Sequence, residues 1–180
     1  KTQSRSLELS LLIALPSAVG LYILSTPIIH ILFERGAFSA EDTLYTAQVL
    51  SIFSTGLPAY ILIKVLVTCF FAREDTKTPL YVSVVSVAFN ITLSLLLIST
   101  MREMGIALAT AISAWINAFL LFFILKYKKD LILDDIFIKN ISKIIISVLI
   151  MLCGCYFLNK ILHTNLANTA FFIEILNLLF

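Results

Sequence analysis

Lys64 is the residue whose type and setting point most directly to chemistry. It sits inside the apolar run GLPAYILIKVLVTCFFA, residues 56–72. Arg73 follows nine residues later, roughly 13 Å along a helix axis. That is too far for the lysine to reach the bilayer surface easily by extending its stem. An ammonium is costly in hydrocarbon, so it faces other protein or a water-filled cavity. Spacing of four places Gly56, Tyr60, Lys64 and Thr68 in one row, a polar stripe on an apolar span. A cation flanked by the hydroxyls of Tyr60 and Thr68 suits an anionic substrate. A structural lysine paired with a carboxylate, or with backbone carbonyls freed by a proline, remains the other reading.

Asn90 and Ser94 form a second polar pair, one helical turn apart. Their oxygens suit a small cation such as sodium; a neutral interhelical hydrogen bond is the alternative. The three cysteines, Cys69, Cys153 and Cys155, lie in apolar runs. The spacing of the last two fits neither a zinc knuckle nor a dithiol redox motif, so they read as small buried hydrophobes. Glu174 stands in the final apolar run, and Asp134-Asp135 is an adjacent acidic pair that a solvated loop explains. There is no HExxH, GxSxG or Walker loop. The expectation is a transporter and not an enzyme, with no metal and no cofactor. Its energy would come from ion coupling or the membrane potential.

The elements that must hold these residues are membrane helices. Hydrophobic residues make up 60% of the chain and charged residues 13%, about half the charged share of a soluble domain. Mean hydropathy is +1.02. Six apolar stretches follow, at about residues 7–33, 44–72, 80–99, 105–126, 138–158 and 167–180. They are long and lack the alternation of a barrel, so the fold class is all-α, a polytopic bundle of about six spans. Pro16, Gly56 and Pro58 are expected to kink their helices, either as hinges of a rocking transporter or simply as packing features. In the fourth stretch Gly105, Ala109 and Ser113 recur every four residues, flanked by Ala107, Ala111, Ala114 and Ala118. Such rows let backbones approach closely. Asn117 reads as an interhelical hydrogen bond there and Trp115 as a bulky filler.

Charge sets the orientation. Nine of the 13 Lys and Arg residues fall on one side of the alternating spans: Lys1, Arg5, Arg73, Lys77, Lys126, Lys128, Lys129, Lys139 and Lys143. Arg35, Arg102 and Lys160 fall on the other, and Lys64 within a span. The bias places the first set in the cytoplasm. The expected partners are membrane lipids, with no nucleic acid. The connector 126–143 reads either as an amphipathic segment on the cytoplasmic face or as an ordinary basic loop. Lys1 in place of Met, and a chain ending in mid-run at Phe180, lead to the expectation of a piece cut from a longer protein.

Two loops carry a family resemblance. Phe33-Glu34-Arg35-Gly36-Ala37-Phe38-Ser39-Ala40-Glu41-Asp42-Thr43 and Ala72-Arg73-Glu74-Asp75-Thr76-Lys77-Thr78-Pro79 resemble motifs of the MurJ (MviN) family. These are lipid II flippases of bacterial peptidoglycan synthesis, within the MATE-like MOP exporter superfamily. Leu15-Pro16-Ser17-Ala18 and Gly56-Leu57-Pro58 with Lys64 are similar as well. The resemblance is dense over residues 7–129 and rests mainly on hydropathy beyond. It implies a fourteen-helix protein of which this is the C-terminal part. Residues 1–129 would be the last four helices of the C-terminal lobe. Residues 130–180 would be an amphipathic connector and two extra helices, the last one truncated, forming a groove for a polyprenyl tail. It further implies alternating access in the bacterial inner membrane, with the undecaprenyl-diphosphate-linked precursor as substrate. Relatives with a sodium site use Asn and Asp where this chain has Asn90 and Ser94. A related exporter of drugs or other lipid-linked glycans is the nearest alternative, and a membrane-embedded transferase a more distant one.

Overall fold

A computed structural model describes residues 2–128 and 140–154. Among the described residues every regular element is a helix: α1 Thr2–Ile23, α2 Ser25–Phe33, α3 Ala40–Phe71, α4 Lys77–Met101, α5 Glu103–Tyr127 and α6 Asn140–Gly154. Four of them, α1, α3, α4 and α5, are long and apolar enough to cross a bilayer. The chain is therefore a multi-pass membrane helix bundle. The fifth expected stretch appears as α6. The connector at 129–139 and the last stretch, with Glu174, lie outside the described residues.

The first apolar stretch is two helices. α1 runs unbroken through Pro16, and the interruption falls at Leu24 (φ −93°, ψ 11°). Pro27 explains it: proline offers no N–H to the carbonyl four residues back, that of Ile23, and its ring crowds that carbonyl. Ser25 Oγ donates to the Tyr22 carbonyl at 3.1 Å, beside the break. α3 opens with a capping box in which Asp42 N donates to Ser39 Oγ at 3.2 Å and Ser39 N donates to Asp42 Oδ2 at 2.9 Å. Its 32 residues span about 48 Å, more than the ~30 Å hydrocarbon core.

The helices stand in a row and not in chain order. α3 packs on α1 and on α5, and α5 packs on α4, while α3 and α4 barely meet. α2 lies against α3. α6 joins the row beyond α1, where Asn140 Nδ2 donates to Glu8 Oε2 at 3.1 Å. The order across the row is thus α6, α1, α3, α5, α4. α3 and α5 meet along two zones. One is a large-residue core of Leu66, Cys69, Phe70, Leu121 and Leu125 with Leu7 and Val82. The other is a small-residue seam of Ala59, Ala114 and Ala118. The whole expected small face of α5 is buried, from Gly105 to Ala118. A Cβ on Gly105 would lie 2.7 Å from the Leu97 carbonyl oxygen, so only glycine permits the one-residue turn at Arg102 between α4 and α5.

Candidate functional site

Lys64 and Thr68 are both exposed on α3, and Thr68 lines a cavity with Gln3 and Ser6 of α1. Thr68 Oγ1 donates to the Lys64 carbonyl at 2.6 Å, leaving the ammonium unengaged by this neighbour. Tyr60 is half-buried, with its ring folded back over Gly56. Gly56 itself is buried beneath α5. The four residues therefore do not share one environment. Each four-residue step turns about 40° around a helix, so the row winds about 120° from the α5 interface at Gly56 to the α1 side at Thr68. Tyr60 lies where the two meet.

Tyr60 also lines a cavity of about 130 Å³ where α3 and α4 splay apart over α5. Asn90 and Ser86 come from α4, and Thr110, Ser113 and Asn117 from α5. Sequence spacing did not connect Tyr60 with Asn90; the fold does. Ser94 Oγ donates to Asn90 Oδ1 at 3.1 Å, a bond within α4 and not between helices. Among the described residues no cluster of three or more His, Cys, Asp or Glu could hold a metal. Asn117 Oδ1 is buried and finds no hydrogen-bond partner among the described residues. The interhelical bond expected of Asn117 is made instead by Trp115, whose Nε1 donates to the Thr55 carbonyl at 3.0 Å. Sequence reading missed that role because the acceptor is a backbone atom on another helix.

The two loop motifs act locally, as turns. In the first, Glu34 accepts from Thr43 Oγ1 at 2.7 Å and meets His30 Nδ1 at 2.7 Å. These two contacts, the His30 one foremost, hold its carboxyl below the ordinary value. Arg35 Nη2 donates to the Ile31 carbonyl at 3.1 Å, and Gly36 takes a positive φ of 62°. In the second, Asp75 gathers three donors: Lys128 Nζ at 2.7 Å, Thr78 Oγ1 at 2.8 Å and Thr78 N at 3.0 Å. The Lys128 bond, then those from Thr78, push its carboxyl far below the usual carboxylate range. Arg73 and Lys77 flank this turn. Pro79 is buried in the first turn of α4, where its missing N–H costs nothing. The motif thus ties the end of α3 and the start of α4 to the end of α5.

A family model described as Lipid II flippase MurJ matches residues 1–177. The chain is 41% identical over 154 residues to "Probable lipid II flippase MurJ" of Rhizobium meliloti (strain 1021), covering 86% of the chain and 29% of the relative. It is 44% identical over 122 residues to the protein of that name from Rickettsia prowazekii (strain Madrid E), covering 68% and 24%. It is 35% identical over 151 residues to "Lipid II flippase MurJ" of Thermosipho africanus (strain TCF52B), covering 84% and 30%. The chain spans under a third of each of these three curated relatives.

Proposed function

The chain belongs to the lipid II flippase MurJ family, and we propose that in the full-length protein it forms part of a flippase for the lipid-linked peptidoglycan precursor. Such a protein moves lipid II from the cytoplasmic to the outer leaflet of the bacterial inner membrane. It is a transporter, and flipping makes and breaks no bond. The physical problem is the headgroup: burying its diphosphate and hydroxyls in hydrocarbon uncompensated is prohibitive. Fixed cations in a cavity lower that barrier, while the polyprenyl tail stays in the membrane.

Lys64 carries this reading. It is an exposed ammonium on α3, and its sequence position is deep in a span. We assign it to the diphosphate, with Thr68 and Tyr60 beside it for polar groups of the headgroup. In the full-length protein Lys64→Ala should fail to complement a flippase-depleted strain at normal expression, while Lys64→Arg retains partial function. Full complementation by the alanine variant would sink the assignment. At Asn90 the partner one turn on, Ser94, brings a hydroxyl and not a carboxylate, which disfavours sodium there.

A further inference from the structure

We infer that Trp115 is a positioning residue for Lys64, because its indole holds the proline elbow of α3 against α5. The inference rests on the reading of Lys64 given above. Pro58 leaves the Ser54 carbonyl without its helical donor and crowds it, so α3 is weakest at this turn. Lys64 lies six residues further on, about 9 Å along the axis, and an unsupported elbow would let it swing.

Three contacts oppose that swing, all of them to α5. Trp115 Nε1 donates to the Thr55 carbonyl at 3.0 Å, within the loosened turn. Gly56 approaches so closely that a Cβ there would stand 3.2 Å from Ala111 Cα. Ala59 is wholly buried against Ala114 and Ala118. The indole is itself braced by stacking on Phe119, with centroids 5.6 Å apart. Upstream, Ser54 Oγ donates to the Ser51 carbonyl at 2.6 Å and Thr55 Oγ1 to the Ile52 carbonyl at 2.7 Å. Such side-chain bonds compete with the helix ladder and favour a bend. α3 is continuous through Pro58, and these contacts tie that turn to α5, so that the two helices carry Lys64 as one body.

The test uses the full-length protein with native cysteines replaced and a single reporter, Lys64→Cys, labelled by a water-soluble maleimide. Trp115→Phe keeps a stacking ring and removes only the donor. Loss of one interhelical hydrogen bond should change the labelling rate at 64 by about threefold. A reporter at Gln48→Cys, ahead of the elbow, should label as before. Gly56→Ala, which forces α3 away from Ala111, should reproduce the pattern. Unchanged rates at 64 in both variants, or equal changes at 48 and 64, would overturn the inference. The labelling outcome is independent of whether Lys64→Ala complements, so the two readings fail separately.

Discussion

Asp75 shows how a loop residue is committed by its donors. Its carboxylate accepts from Lys128 and twice from Thr78, and the Lys128 ammonium also lies 5.9 Å from the Phe70 ring centroid. A carboxyl depressed in the folded state adds stability that is complete above its unfolded value, near 4, and drains away as pH falls below it. Asp75→Asn should therefore melt earlier than the parent at neutral pH, by a margin that shrinks as pH is taken below about 4. Thermal unfolding in detergent across pH checks this. Lys128→Met should cost a similar amount, and the double variant less than the two combined, as expected of direct partners. The sequence made Lys64 and the charged turn conspicuous, because a lysine in an apolar run needs no structure to be noticed. Trp115 was opaque: its acceptor is a main-chain oxygen 60 positions away, and no residue type advertises a carbonyl. The polar row was misleading in one respect, since spacing of four ignores the slow winding that buries Gly56 and exposes Lys64.

At the scale of elements, hydropathy sufficed to find α3, α4 and α5, because each is a long apolar run bounded by charge or a capping signal. It failed at the first stretch, where two prolines competed and only the geometry shows that Pro27 interrupts the helix. The α4–α5 hairpin was legible in part. The small-residue face predicted close packing, and every one of those residues is buried. The turn itself was not legible, since Arg102 adopts φ 51°, a conformation its sequence does not favour. Gly105→Ala places a methyl group against the Leu97 backbone. Overpacking of this kind should lower stability by about 1–3 kcal/mol. Equilibrium unfolding in mixed micelles would measure it, and a neutral result would mean that the turn can open.

For the whole molecule, the charge bias and the helix row make a joint prediction about sidedness. In intact cells Arg102→Cys should react with an impermeant thiol reagent, and Lys77→Cys only after permeabilisation. The opposite pattern would invert the topology. α4 stands at the end of the row with only 11% of its apolar window buried, against 39% for α5, so α5 is its anchor. The one-residue turn gives this pairing a consequence for biogenesis. A turn this short favours release of α4 and α5 from the translocon as one hairpin, with Arg102 at its tip and the small face of α5 already paired.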